Sequence, residues 1–200
     1  MALVSKLRAI LLMEADFNMF NRIIFGNRML DLAHERGLIP DEQYAAKESD
    51  AQDGVLQKVL FADIARQARL PGAIVSAEAA HCYDRIAHPF ASLVFQLLAV
   101  PLACVTAMLS CIQCMKFFLW TAFGNSTIFM AAAAGSIFQG MCQGNTASPA
   151  AWSAISALFV RAYKRRGQGM RHHTPISRRP FDSAGILFVD DTDPSRSIGL

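Results

Sequence analysis

Between Asp84 and Asp182 the chain contains no aspartate and no glutamate. Within that stretch, residues 89–115 carry no charged side chain of either sign. A helix in water needs a polar face, so helices formed here must be covered on most sides, by protein or by lipid. The composition agrees. At 53% hydrophobic and 18% charged, with a mean hydropathy of +0.28, the chain is more apolar than an ordinary soluble domain, and intrinsic disorder is excluded. Its 200 residues suffice for one sizeable core, or for a large domain with a small annex.

Residues 89–115 are long enough to span a bilayer, and a small membrane-associated protein built on them is one reading. Gln96, Gln113, a mid-segment Pro101 and the absence of a basic flank on one side only favour a pair of buried helices instead. A membrane partner is therefore not expected. The opening residues 1–13 are short, and Glu14 and Asp16 follow closely, so no signal peptide is read there. The expected compartment is intracellular, nuclear or cytoplasmic, with reduced thiols. Five cysteines (Cys82, Cys104, Cys111, Cys114 and Cys142) leave one over in any full pairing. Cys111 and Cys114 form a CxxC, but no second pair supplies the missing ligands of a tetrahedral metal site, so all five read as buried thiols.

The pattern predicts helices around a few strands, in the order α-α-β-α-α-α-β. Asp16 is placed to cap a helix reaching Arg36, with Phe17, Phe20, Ile23, Ile24, Met29 and Leu30 as its apolar face and Gly37 as its stop. Asp50 or Asp53 starts a second helix that ends near Arg69. Residues 73–77 read as a buried strand. A helix follows His88, Pro101 interrupts it, and a further helix runs to about Phe123. Ser148 and Pro149 open a helix that carries Trp152, Ile155, Leu158 and Phe159 inward and reaches Arg165. Residues 167–180 read as a loop and residues 185–189 as a second buried strand.

The net charge of +3 says less than its distribution. Arg161, Lys164, Arg165, Arg166, Arg171, Arg178 and Arg179, with His172 and His173, form a basic run free of acids. It reads either as a site for a phosphate-bearing partner or as a solvated helix end and loop. Two acidic positions follow apolar strands: Glu78 after residues 73–77, and Asp190 with Asp191 after residues 185–189. Adjacent carboxylates resist joint ionisation unless a cation lies between them. Two divalent metals that clamp the oxygens of an in-line displacement need such carboxylates, held on a strand end and on a turn of the neighbouring strand. Asp-Asp alone is common in exposed turns.

Order and company change the weight of that dipeptide. Glu78 followed by Tyr83-Asp84 resembles the first palm motif of reverse transcriptases, an acid and then an aromatic-Asp pair. Gln143-Gly144-Asn145-Thr146-Ala147-Ser148-Pro149 resembles the second, and Phe188-Val189-Asp190-Asp191 the third. Upstream, residues 7–12, the helix to Arg28 and Glu42-Gln43-Tyr44 look like the fingers of retrotransposon-type enzymes. The resemblance covers residues 7–193. It implies an α+β fold, an incomplete polymerase right hand with helical fingers over residues 1–71, a partial ferredoxin-like palm over residues 72–200, and no thumb.

By that resemblance the activity is RNA-directed DNA polymerisation at a two-metal site, with Mg²⁺ as cofactor and Mn²⁺ as an alternative. RNA template, DNA primer and dNTPs are the implied partners, and no obligate protein partner is inferred. Glu78, Asp190 and Asp191 are then the metal-holding catalytic acids. Tyr83 lies under the incoming sugar, Gln143 and Gly144 against nucleotide and template, and Arg8 reaches the triphosphate. The chain departs from the family at two places. The first acid is Glu78, one methylene longer than the family's Asp, and misplacement by about 1 Å can cost 10²-fold in rate. Pro194 falls where a return strand should run, and proline is poor inside a central strand. With the chain ending at Leu200, these departures predict an impaired or inactive enzyme. A non-catalytic nucleic-acid-binding remnant is the alternative.

Overall fold

The computed structural model describes residues 10–44, 50–69, 72–132, 137–167, 169–173, 178–188 and 191–197. The helices are α1 (Ala15–Asn21), α2 (Leu30–Glu35), α3 (Ala51–Gln67), α4 (His88–Leu97), α5 (Leu102–Cys114) and α6 (Ser148–Arg165). A π-helical segment, Arg22–Met29, joins α1 to α2, and a 3₁₀ turn covers Cys82–Arg85. The strands are β1 (Gly72–Ile74), β2 (Ala77–Glu78), β3 (Phe117–Thr121), β4 (Gly124–Met130), β5 (Met170–His173), β6 (Pro180–Ser183), β7 (Gly185–Phe188) and β8 (Asp191–Ser197). The protein is thus a mixture of helices and antiparallel sheet, an α+β arrangement. Two compact units form, neither continuous in sequence: Met1–Asp31 with Tyr83–Ala151, and Leu32–Cys82 with Trp152–Leu200.

In the first unit the core is built from Phe25, Met29, Ala91, Val94, Phe95, Val105, Met108, Ile112 and Met141, all at most 2% exposed. The Phe25 and Phe95 rings meet at 5.1 Å. The N-terminal helix differs from the sequence expectation. Glu14, not Asp16, holds the N-cap position and makes no side-chain cap bond. The wider winding of the π segment moves the buried line to Asn21, Phe25 and Met29, and leaves Ile23 41% exposed. α4 and α5 match the predicted break at Pro101, and neither is long enough to cross a bilayer. Among the described residues no helix is long and apolar enough to do so.

The chain leaves α4 through a helix-end motif in which Val100 N–H reaches Phe95 O (2.9 Å) and Ala99 N–H reaches Gln96 O (3.0 Å). Ala99 takes φ +63° there, a position that favours glycine. The helix expected to reach Phe123 stops at Cys114 instead. Its aromatic continuation, Phe117–Thr121, suits a pleated strand and pairs with β4. Cys82 and Cys142 are buried as expected, but Cys111 and Cys114 are exposed.

In the second unit, Gly37 ends α2 with φ +61°. Leu38 N–H donates to Ala33 O and Gly37 N–H to His34 O. Asp50 caps α3 and exchanges hydrogen bonds with Asp53, so both predicted start residues serve one capping box. Gly54, inside α3, allows close approach to Tyr44 and to Ile186 on β7: an added Cβ would lie 3.1 Å from Ile186 Cγ2. β8 pairs antiparallel with β7 along one side and with β1 and β2 along the other. A return strand therefore forms in spite of Pro194. Residues 73–76 are exposed rather than buried, with Ile74 at 40% and Val75 at 58%. The stretch expected as a loop instead forms the β5–β6 hairpin, Met170 pairing with Ser183 and His173 with Pro180. On α6, Ile155 is buried as expected, but Phe159 is 57% exposed and small residues take its place, Ala154, Ser156, Ala157 and Val160 lying inward.

Candidate functional site

Five of the seven residues singled out by the sequence fall among the described residues, in two groups. Arg8 and Asp190 lie outside them, as do the side chains of Glu78 and Asp191.

The first group is set by strand register in the second unit. β2 and β8 align so that Glu78 lies directly opposite Asp191, with Ala77 opposite Thr192. β7 aligns Phe188 with the same Asp191 from the other side. Residues directly opposite in an antiparallel pair lie about 4.5–5.5 Å apart at Cα and occupy the same face of the sheet. The two acids, 113 positions apart in sequence, are therefore register neighbours.

β1 and β2 share one register with β8: Ile74 aligns with Ser195 and Ala77 with Thr192. Counting through that register puts Val75 and Ser76 opposite Pro194 and Asp193, and strand pairing lapses at that point. A proline has no N–H to give a ladder. The break between β1 and β2 is where that missing donor predicts it.

The second group belongs to the first unit and is centred on the loop from Gly140 to Ser148. Met141 N–H donates to Tyr83 O (2.7 Å) and Gly140 N–H to Ile86 O (2.8 Å), which ties the aromatic-Asp turn to the start of the Gln-Gly loop. Gly140 has φ +87°, and a Cβ there would lie 2.5 Å from Asp84 Cα. Leu11 N–H donates to Gln143 O (2.7 Å). Gly144 has φ +118°, and a Cβ there would lie 2.1 Å from Leu11 O, so only glycine fits.

Side chains of α1 complete the loop. Asn18 Nδ2 donates to Gly144 O (3.3 Å), while Asn18 Oδ1 accepts from Thr146 N–H (3.0 Å). Buried Asn21 donates to Asn145 Oδ1 (3.0 Å), which also accepts from Ala147 N–H (2.9 Å). Ser148 does not cap its helix with its hydroxyl; Oγ is turned back toward the carbonyls of Met141 (2.9 Å) and Cys142 (2.8 Å). Tyr83, Gln143 and Gly144 are thus linked through one hydrogen-bonded backbone.

Behind Gly140 stands a polar relay that the sequence did not announce. Gln113 Oε1 accepts from Phe138 N–H (3.0 Å), which fixes Nε2 as the donor end of that amide. Nε2 lies 2.7 Å from His88 Nδ1, so Nδ1 accepts and the ring carries its proton on Nε2. Nε2 in turn donates to Gly140 O (2.6 Å). His88 is only 7% exposed and is spent on positioning. Cys142, beside this relay, has φ +65°. Burial first, and then the charge of Asp84, push its thiol up to about 11, so it is no nucleophile near neutrality.

The basic run divides into two sets. Arg161 donates to Gly37 O (3.1 Å) and Leu38 O (2.8 Å), and Lys164 pairs with Glu42 (2.6 Å), a carboxylate 5% exposed that also accepts from Ala184 N–H (3.3 Å). These two cations hold the second unit together. Arg165, Arg166 and Arg178 are exposed. Glu42 and Gln43, read as fingers-like, serve as buried ties: Gln43 Nε2 donates to Ser156 Oγ and to Ser153 O on α6. Burial and the neighbouring Glu42, Asp53 and Asp41 raise the Tyr44 hydroxyl. Among the described residues no group of three or more His, Cys, Asp or Glu gathers as a metal site. No protein-family model matches the chain, and a search of curated proteins finds no match.

Proposed function

We propose that the chain is the fingers and partial palm of an RNA-directed DNA polymerase of the retrotransposon type, with impaired activity. The single observation that carries this reading is the register pairing of Glu78 with Asp191, the residue that Phe188 faces from the other side. Three weak motifs in the right order would each be unremarkable. The pairing is what a shared metal site on adjacent strands requires, and the sequence spacing alone did not impose it.

Glu78, Asp190 and Asp191 offer only oxygen donors, a set that suits hard Mg²⁺. When bound, two such ions supply charge neutralisation at the transferring phosphate. The chain's own contribution is positioning. Tyr83 would lie under the sugar of the incoming nucleotide and exclude a 2′-hydroxyl. The Gln143–Gly144 backbone, held by Leu11 and Asn18, would lie against nucleotide and template. RNA template, DNA primer and dNTPs follow as partners. Impairment rests on the longer side chain of Glu78 and on the lapse in pairing opposite Pro194, three positions beyond Asp191.

Primer extension on an RNA template with Mg²⁺ or Mn²⁺ tests the reading. Glu78→Asp should raise template-dependent incorporation by up to ~10²-fold, and Asp190→Ala should abolish it. No incorporation by either chain, with tight and steeply salt-dependent binding of primer–template in a filter assay, would favour the non-catalytic nucleic-acid-binding alternative on Arg165, Arg166 and Arg178.

A further inference from the structure

Cys111 and Cys114 stand three positions apart in the last turn of α5, both exposed and both free. The two residues between them are committed inward. Ile112 is 0% exposed, and Gln113 holds Phe138 by two hydrogen bonds and His88 by a third. From His88 the contact passes to Gly140 O, and the next residue, Met141, donates to Tyr83 O.

We propose that Cys111 and Cys114 form a thiol–disulfide modification site whose closure is transmitted through Gln113 and His88 to the Gly140–Met141 backbone. The chemical partner is a low-molecular-weight disulfide. One cysteine sulfur attacks it, forming a mixed disulfide and releasing one small thiol. The second cysteine attacks the protein sulfur of that mixed disulfide, forming the Cys111–Cys114 bond and releasing the second small thiol. Two protein thiols are oxidised by two electrons, the small disulfide is reduced, and the two protons leave on the released thiols.

Helix geometry supplies the coupling. Side chains three apart on a helix have Cβ atoms about 5–6 Å apart, whereas a disulfide needs about 3.5–4.5 Å. Closure must therefore draw the last turn together by about 1.5 Å. The turn has room to give, since its closing bond, Met115 N–H to Ile112 O, is already 3.4 Å. Any such movement carries Gln113 with it, and Gln113 is what orients His88. The modification stands on the thiols alone. Its regulatory meaning for nucleotide binding rests on the polymerase reading, so the test is read without activity.

The full chain is incubated with glutathione disulfide and then alkylated, mapped by mass spectrometry and followed by hydrogen exchange. The expected products are an internal Cys111–Cys114 bridge in the wild type and a stable mixed adduct at Cys114 in Cys111→Ser. Exchange at the Gly140 and Met141 amides should rise about tenfold on bridging, the loss of roughly one hydrogen bond. In Gln113→Ala the bridge should still form without a further rise. Mixed adducts only in the wild type, or a bridge from Cys114 to Cys104, would overturn the site. A bridge with unchanged exchange at Gly140 and Met141 would overturn the transmission.

Discussion

Gly144 and Gly124 make a matched pair of substitutions. Both have nearly the same backbone angle, φ +118° and φ +114°. An added Cβ at Gly124 meets nothing within 4 Å, while at Gly144 it falls 2.1 Å from Leu11 O. Replacing either by alanine incurs the strain of a sparsely populated angle, about 1–3 kcal/mol. Gly144→Ala must in addition push the Leu11 carbonyl away by more than 1 Å, from 2.1 Å to ordinary contact. That movement removes the 2.7 Å bond from Leu11 N–H to Gln143 O and disturbs the Asn18 bond to Gly144 O. Two such bonds are worth about 0.5–1.5 kcal/mol each, so Gly144→Ala should exceed Gly124→Ala by roughly 1–3 kcal/mol. For a chain of this length the excess lowers Tm by about 2–4 °C per kcal/mol, so the two variants should melt roughly 2–12 °C apart. Scanning calorimetry on both measures it, and hydrogen exchange at Leu11 localises it. Equal melting temperatures would refute the close approach of Leu11 to the Gln-Gly loop, and with it the way Gln143 and Gly144 are held.

Ala99→Gly should stabilise the protein by about 0.5–1 kcal/mol, because it relieves a left-handed alanine at the end of α4; a fall in Tm would contradict the motif. Lys164→Met should cost about 3 kcal/mol by leaving Glu42 as a buried carboxylate without its cation, and chemical denaturation would read it as a lower midpoint. Since the Cys142 thiol titrates near 11 instead of the ordinary 9.0, the folded state holds its proton where the unfolded state loses it. That contribution to stability is fully present below pH 9 and is lost as pH rises towards 11. Cys142→Ala should flatten the loss, and at pH 8 Ellman's reagent should label Cys111 and Cys114 well before Cys142.

The elements legible in the sequence were those with local chemistry to announce them. Gly37 and Asp50 mark a helix end and a helix start because a left-handed glycine and an acceptor side chain solve a backbone problem within three residues. Pro101 separates α4 from α5 for the same kind of reason. What failed was the assignment of apolar runs without a clear period. Phe117–Thr121 has no polar alternation to separate strand from helix, and its turn at Ala122 and Phe123 lacks an Asn-Gly signature. The β5–β6 hairpin was hidden by arginines and histidines that suit a loop equally well. The relay of Gln113, His88 and Gly140 was not legible at all, because its members are far apart in sequence and only packing brings them together.

The acidic pair lies between these cases. Sequence supplied Glu78 and Asp191 as candidates, but nothing local fixes a register between strands so distant in the chain. Register is set where one slip would turn every side chain to the wrong face. Here β8 is fixed along one side by β7 over four pairs, Gly185–Pro194 to Phe188–Asp191, and the count of β1 and β2 follows without a shift across their break. Pro194 therefore interrupts the hydrogen bonding without resetting the alignment. A slip at the break would have moved Glu78 off Asp191. Because the two flanking segments keep one count, the pairing of the acids survives a residue that the sequence alone marks as damage. On the proposed polymerase reading, the departure with the stronger claim on activity is thus the extra methylene of Glu78, which would act at the metal-holding position, rather than the proline three positions along the strand.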